Sequence, residues 1–185
     1  MSDKPGIQVT FRPVYGDGKL KVEYSVINKS DVPILVFDRM RNLRTGEPDP
    51  NWAFVDISGG EAILKRAQEK MPKTMTMENN PVPYAREIPP GGTAAGHFQL
   101  AAPLRQSDPY HQLRGKALRT VDVNKAQMWV GWCPKSELHE AAREPRILGG
   151  DRVWIPSYWD VEAVQRIAKS ASFAVRLRAR TAAPR

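Results

Sequence analysis

The stretch LKVEYSV at residues 20–26 constrains the fold most, because its side chains alternate between apolar and polar. Successive side chains of a β-strand point to opposite faces, so this period of two predicts a strand with one buried face. Residues 28–31, NKSD, carry short polar side chains that hydrogen-bond to nearby backbone and turn the chain. Pro33 has no N–H and suits the entrance of the apolar strand 34–37. We therefore expect two strands joined by a turn or by a crossover between sheets.

Similar strand patterns, separated by turn signals, recur along the whole chain. They fall at residues 8–11, 52–57, 61–64, 93–100, 126–132 and 173–178. Gly59-Gly60 suits a tight hairpin, because both residues tolerate positive φ. A total of about eight or nine short strands predicts an all-β protein, an immunoglobulin-like antiparallel β-sandwich with one or two short helices. The side chains expected in its core are Leu20, Val22, Tyr24, Val26, Val36, Phe98, Leu100, Val130, Phe173, Val175 and Leu177.

Two segments have helical patterns. Residues 136–143 begin with Ser136 as a candidate N-cap and continue with good helix formers. Residues 160–170 have Asp160 as a candidate cap and an apolar face that includes Val161, Val164 and Ile167. We expect both segments to be short helices at the margin of the sandwich.

The length of 185 residues fits one domain, and we expect residues 1–185 to form a single β-sandwich with long loops and a C-terminal extension. There is no apolar run of the roughly 20 residues that a membrane helix needs. The first residues lack the basic and apolar regions of a signal peptide, which predicts a cytoplasmic protein. The prediction becomes periplasmic or envelope-associated if a signal peptide has been removed.

The formal net charge of +8 favours acidic partners through long-range attraction. The charges are spread along the chain, without a helix-turn-helix, a zinc-ligand spacing or an aromatic and basic RNA-binding signature. We therefore expect a protein partner and consider nucleic acid unlikely. The oligomeric state cannot be read from the sequence.

The string V-x-N-K-S-D-x-P-I-x-V-F-D at residues 26–38 resembles the second and third strands of bacterial immunoglobulin-like modules, among them the BsuPI-type intracellular proteinase inhibitor family. The segment 52–60 and Pro90-Gly91-Gly92-Thr93 follow in the same order as in that family, so the resemblance covers roughly residues 18–100. A Trp-rich segment of the family is replaced here by EAILKRAQEKM. The phrases PPGGTAAGHFQLAAPL and QMWVGWCP also look like those of uncharacterised envelope and lipoprotein families. The resemblance implies the fold and, as an alternative function, protease inhibition by the loops 39–51 or 71–87.

Residues that carry chemistry do not form a recognisable catalytic pattern. Cys133 precedes Pro134 and lies six residues before His139, so a cysteine-dependent hydrolase is the less favoured alternative. A buried, inert thiol is the simpler interpretation. His97, His111 and His139 lack the short spacing of metal ligands. We predict a protein that is not an enzyme and has no metal or cofactor.

Two features remain as partner-binding candidates. Tyr158 and Trp159 lie in VWIPSYWD, where they are either anchors for a partner or aromatic plugs at the end of the sandwich. Arg176, Arg178 and Arg180 share one face of the last strand, where they either protect a sheet edge or bind an acidic surface. We predict a non-catalytic protein-binding module of a bacterial protein, with an acidic partner.

Trp129 and Trp132 are three residues apart on a predicted strand, so they point to opposite faces of the sheet. One of them is expected in the core and the other at the surface.

Overall fold

The computed structural model describes residues 6–42, 44–72, 82–107, 110, 116–139 and 144–182. This part of the chain is mostly β-strand, which confirms the predicted all-β class. The elements are β1 (Ile7–Gly16), β2 (Lys19–Asn28), β3 (Ile34–Arg39), β4 (Phe54–Ser58), β5 (Glu61–Arg66), β6 (Tyr84–Ile88), β7 (Thr93–Ala101), β8 (Leu104–Arg105), β9 (Leu118–Pro134), β10 (Arg146–Leu148), β11 (Asp151–Val153), α1 (Tyr158–Val164), β12 (Arg166–Lys169) and β13 (Phe173–Ala182). No helix in these ranges has the length and apolar character needed to cross a membrane.

The small sheet contains β1, β2 and β7, all antiparallel, with β2 in the middle. A two-residue turn joins β1 to β2, and its residues Asp17 and Gly18 have φ angles of 53° and 69°. Positive φ at both positions matches the twist of the paired strands. The predicted alternation in β2 is confirmed, because Leu20, Val22, Tyr24 and Val26 are all buried.

The large sheet is built around β9, which is 17 residues long. Along one edge β9 pairs antiparallel with β13 over its first half and with β12 over its second half. Along the other edge it pairs in parallel with β5 and antiparallel with β3. The strands β4, β6 and β8 extend the sheet from β5, β3 and β13.

The connection from β2 to β3 is the crossover between the two sheets, and Asn28 holds it. The side-chain oxygen of Asn28 accepts hydrogen bonds from the backbone N–H of Ser30 at 3.0 Å and from its hydroxyl at 2.6 Å. The amide nitrogen of Asn28 donates to the carbonyls of Val32 at 2.9 Å and Ile88 at 3.1 Å. The predicted polar turn is therefore confirmed, and it also joins the crossover to the end of β6.

The inner faces of the two sheets share one hydrophobic cluster. Most of the expected core is confirmed within it, although Leu100 and Val175 are only half-buried at its margin. The expectation for Phe173 is wrong, because this side chain is 39% exposed. Phe173 begins β13 at the end of the sheet, where its ring lies edge-on to that of Phe11 with 5.7 Å between centroids.

A buried polar network joins the two sheets inside the core. The hydroxyl of Tyr24 on β2 donates to Asp38 Oδ2 at 2.7 Å and accepts from Arg66 Nη1 at 3.1 Å. Arg66 also donates to the carbonyl of Asp38 at 3.0 Å, and its guanidinium lies 4.3 Å from the ring centroid of Phe98. Arg86 on β6 completes the network with a 2.5 Å ion pair to Asp38. Burial, reinforced by the Asp38 carboxylate, raises the pKa of Tyr24 well above its usual range, so its hydroxyl remains a donor.

A second hydrophobic cluster lies on the outer face of the large sheet, at one end. Leu35 on β3 and Cys133 on β9 alternate with residues of the main core and therefore point to the opposite face. The side chains of Trp154, Tyr158 and Val161 pack over them. This end of the large sheet is thus covered on both faces.

The predicted helix 160–170 is wrong in both of its bounds. The helix α1 begins at Tyr158, and Ser157, rather than Asp160, is its N-cap. The Ser157 hydroxyl accepts from the Asp160 N–H at 3.2 Å, and the Asp160 carboxylate accepts from the Ser157 N–H at 3.3 Å. From Arg166 the chain is strand β12, because pairing with β9 competes with the amphipathic helical pattern.

The predicted helix 136–143 is also wrong where the structure describes it. Lys135–Glu137 is a single 3₁₀ turn, and Leu138 is extended with ψ of 145°. The residue at the N-cap is Pro134 rather than Ser136. Residues 140–143 lie outside the described part of the chain.

The close approach of β7 to the buried network predicts that Gly96→Ala destabilises the protein. A Cβ at Gly96 would lie 2.4 Å from the hydroxyl oxygen of Tyr24, whose position the network determines. Overpacking of this kind costs about 1–3 kcal/mol of unfolding free energy, which urea denaturation measures. Gly16→Ala is the matched control, because a Cβ at Gly16 has no neighbour within 4 Å. An equal effect of the two substitutions would contradict this account.

Candidate functional site on the open face of the large sheet

The outer face of the large sheet is covered at one end and open at the other. The boundary on β9 is Gly131, where a Cβ would lie 2.3 Å from Oε1 of Gln165. Gln165 is held over this glycine because its Oε1 accepts from the Gln68 N–H at 2.9 Å and its Nε2 donates to the Gln68 carbonyl at 3.0 Å. Beyond this boundary, the outer side chains of the sheet meet solvent.

Positively charged side chains predominate on this uncovered part, which we call the open face. Each alternates along its strand with a residue of the main core, so all of them point away from it. The cations of the open face are Lys65, Arg105, Lys125, Lys169, Arg176, Arg178 and Arg180, and the acidic groups between them are Asp56, Glu61 and Asp122.

The predicted arginine ladder on β13 is present in the structure. Arg176, Arg178 and Arg180 are all exposed, while Leu177 and Ala179 between them are buried. Alternate residues of a strand are about 7 Å apart and share one face. The three arginines therefore lie on the same face of β13, although the pairing of β13 with β9 is irregular between Ala174 and Leu177, at Arg176. None of the three forms an ion pair with a carboxylate of the described residues.

Arg180 lies beside a fourth arginine. Its register partner on the parallel strand β8 is Arg105, which is also exposed. At this position β13 has a neighbour on both edges, since Thr120 of β9 pairs with Arg180 from the other side. Protection of a free edge therefore does not explain Arg180, and two adjacent like charges repel each other.

Trp129 and Trp132 lie on opposite faces of β9, as predicted. Trp132 packs against the main core, whereas Trp129 is half-buried on the open face. The ammonium groups of Lys169 and Lys65 lie 4.2 Å and 5.6 Å from the ring centroid of Trp129. These cation–π contacts hold both lysines against the sheet. The Trp129 N–H donates to Gln127 Oε1 at 2.6 Å.

The two lysines at Trp129 differ in their ion pairs with carboxylates. Lys65 forms ion pairs with Asp56 at 3.4 Å and Glu69 at 3.1 Å. Lys169 is exposed and forms no ion pair with a described carboxylate. The unbalanced charge of the open face is therefore carried by Lys169, Lys125 and the arginines of β8 and β13.

Tyr158 and Trp159 occupy different environments. Tyr158 is buried in the second cluster, where its hydroxyl accepts from the Met71 N–H at 2.7 Å and contacts Glu162 at 3.2 Å. Trp159 is 65% exposed and lies edge-on to Tyr158, with ring centroids 5.0 Å apart. Of the two interpretations, the aromatic plug applies to Tyr158. Of these two residues, only Trp159 lies where a partner has access.

Cys133 is fully buried beneath α1 and the second cluster. Burial, followed by the nearby Glu137 carboxylate, raises the pKa of the thiol to about 12. His97 and His139 are exposed, and His111 lies outside the described residues. In the part of the chain that the structure covers, no three His, Cys, Asp or Glu side chains are close enough to hold a metal ion.

The two loops considered for protease inhibition are described only in part. In the loop 39–51, the side chain of Asn42 accepts from the N–H of Arg44 at 2.9 Å, and the Tyr84 hydroxyl donates to the carbonyl of Gly46. Residues 73–81 of the loop 71–87 lie outside the described ranges. Protease inhibition therefore stays a prediction.

The arginine ladder is visible in the sequence pattern, whereas Arg105 and the two lysines at Trp129, Lys65 and Lys169, are not. The period of two along β13 was sufficient for the ladder. Lys65, Trp129 and Lys169 are brought together by the pairing of β5 and β12 with β9, which nothing in the local pattern indicates.

Comparison of the chain with protein-family models, with curated protein sequences and with solved structures gives no match.

The contrast between Tyr158 and Trp159 predicts very different effects of substitution on stability. Tyr158→Ala removes a buried aromatic ring and should lower the unfolding free energy by about 3–5 kcal/mol. Trp159→Ala loses only one exposed edge-on contact and should cost about 1 kcal/mol. Denaturation in urea measures both, and a large loss for Trp159→Ala would place this ring in the folded core.

The raised pKa of Cys133 predicts slow alkylation of the native protein. At pH 7–8 a thiol with a pKa of about 12 is almost entirely protonated, and the thiolate is the nucleophile. Iodoacetamide labelling followed by mass spectrometry should show little modification in buffer and rapid modification in denaturing urea. Since Cys133 is the single cysteine, the modified mass reports it alone. Rapid native labelling that persists at pH 6 would instead indicate an activated thiolate.

Proposed function

We propose that this chain is a non-catalytic protein-binding module whose open face binds an acidic surface of a partner protein. The observation that carries the proposal is the ladder Arg176, Arg178 and Arg180, extended by Arg105, with no ion pair to a described carboxylate. Guanidinium groups form bidentate hydrogen bonds with carboxylates, which suits them to this recognition.

The charge distribution supports attraction of an acidic partner over a distance. The chain carries a formal net charge of +8. Apart from Lys65, the cations of the open face form no ion pair with a described carboxylate. Such a face raises the association rate with an acidic protein, and salt screens the effect over a length of about 10 Å at 0.1 M. The binding energy itself depends on how well the individual groups pair after contact.

The interleaved acidic groups favour a protein partner over nucleic acid. Asp122 is the register partner of Arg178, and Glu61 is the register partner of Lys125. A polyphosphate backbone carries a negative charge on every nucleotide and would be repelled by these carboxylates. A protein surface can instead place acidic side chains at the arginines and neutral or basic ones at Asp122 and Glu61.

We also propose that the two sheets have immunoglobulin-like topology. The order β1-β2-β7 in the small sheet corresponds to strands A, B and E of that fold. The antiparallel order β3-β9-β13 in the large sheet corresponds to strands C, F and G. In this interpretation the hairpin of β4 and β5 is an insertion that pairs with β9 in parallel and enlarges the open face.

The ladder is tested by replacing Arg176, Arg178 and Arg180 together with glutamine. Substitutions on a solvated face change stability by about ±0.5 kcal/mol, so the variant should fold normally. Tagged wild-type and variant proteins are compared in a quantitative pull-down from the source cell, and the proteins retained are identified. We expect an acidic protein that the wild type retains and the variant loses. With the purified partner, the variant should associate roughly tenfold more slowly at low salt, and the difference should shrink as salt rises.

A second triple variant separates the open face from a general effect of net charge. Arg12, Lys19 and Lys21 are exposed on the outer face of the small sheet, and their replacement by glutamine removes the same three charges. This control should retain the partner in the pull-down and associate with the purified partner at the wild-type rate. The proposal would be contradicted by equal association rates for the wild type and the ladder variant. It would also be contradicted if both triple variants lost the partner equally, or if the wild type retained nucleic acid in place of a protein.

A further inference from the structure

An apolar hollow of about 450 Å³ opens at the end of the arginine ladder. It lies where the ends of β4 and β7 meet the β8 segment. Its lining is chiefly aliphatic and aromatic, and consists of Trp52, Ala53, Val55, Leu100, Ala101, Ala102, Pro103, Leu104, Arg105, Ser107 and Arg180. Concave apolar sites with a few polar groups are the usual form of a binding pocket.

The polar residues that line the hollow are Arg105, Arg180 and Ser107. Arg105 and Arg180 are adjacent in the sheet and belong to the open face. Ser107 is held by β4, since its N–H donates to the Val55 carbonyl at 2.9 Å and its hydroxyl oxygen accepts from the Val55 N–H at 3.0 Å. Among the described residues, the hydrogen of that hydroxyl has no acceptor.

The hollow and the ladder therefore form one continuous surface that shares Arg180. An apolar group that enters the hollow places any carboxylate beside it next to Arg105 and Arg180. A second carboxylate further along the same segment reaches Arg178, about 7 Å from Arg180 along β13. Burial of one large apolar side chain supplies the affinity that surface charges alone do not.

We infer that the hollow receives one large apolar side chain, such as leucine or phenylalanine, from an acidic segment of the partner protein, with flanking carboxylates on Arg105, Arg180 and Arg178. This inference rests on the proposed function and specifies the chemistry of the segment that the open face recognises. The hollow determines the register in which the segment binds, and the ladder selects a segment that is negatively charged.

Two synthetic peptides test the inference by fluorescence anisotropy at low salt. Both carry aspartate at alternate positions and have the same net charge, and they differ at one residue, which is leucine in the first and serine in the second. The leucine peptide should bind the wild-type protein at least about tenfold more tightly than the serine peptide, because leucine buries its side chain. Arg105→Gln should weaken both peptides.

Ala101 lines the hollow, but it pairs with the exposed Lys19 and lies on the outer face of β7, so Ala101→Leu places a larger side chain at the rim of the hollow. This variant should lower the affinity of the leucine peptide to that of the serine peptide, which should itself be unchanged. Ala95→Leu is the matched control, because Ala95 is likewise an exposed alanine of β7 and does not line the hollow. Both variants should melt at the wild-type temperature. Since Ala101 is exposed, the added side chain does not disturb the main core.

The outcomes separate this inference from the proposed function. Equal, salt-sensitive binding of the two peptides would overturn the role of the hollow and leave the cationic face intact. A leucine preference that Ala101→Leu does not remove would place the apolar site elsewhere and also overturn the inference. Absence of binding by either peptide at low salt would contradict recognition of acidic segments by the open face itself.

Discussion

The length of β9 is the constraint on which the rest of the structure depends. A strand of 17 residues exceeds the height of an ordinary sheet, so its two halves serve different neighbours. The first half pairs with β13, the middle pairs with β5, and the last part pairs with β12 and β3. The outer face is open as far as Trp129, and the end of β9 that pairs with β3 lies beneath the second hydrophobic cluster. Covered and open surfaces therefore lie next to each other on a single strand, and Gly131 separates them because Gln165 fills the space above it.

The buried polar network complements this arrangement by fixing the two sheets relative to each other. Tyr24 comes from the small sheet, while Asp38, Arg66 and Arg86 come from the large one. Asp38 Oδ1 and Arg66 Nε have no hydrogen-bond partner among the described atoms, so the network is not a simple gain in stability. We propose that these buried charged groups select one packing of the sheets, since a shift of either sheet would leave a charge unpaired.

The proposed function depends on cations that no described carboxylate balances. Where cations have a structural role, the molecule pairs them, as it pairs Lys65 with Asp56 and Glu69. The arginines of β8 and β13 instead point outward beside an apolar hollow. The two features contribute to different stages of binding: exposed charges mainly accelerate encounter, and burial of an apolar side chain mainly slows dissociation. In the proposed function, the two features together allow fast association and the selection of one acidic segment.

Features that depend on local periodicity and turn chemistry could be predicted from the residues alone. The alternation in residues 20–26 and 175–178, the turn at Asn28 and the Gly59-Gly60 hairpin are all present, because strand faces and tight turns follow from a few neighbouring residues. Residues 166–169 form a strand because of their position in the folded molecule: their apolar pattern fits a helix, but the edge of β9 supplies the competing hydrogen bonds. The tertiary structure also decided that Tyr158 is buried and Trp159 exposed, and that Arg105 joins the ladder. These outcomes depend on which strands become neighbours, and that is settled by contacts between residues far apart in the chain, on which local patterns carry no information.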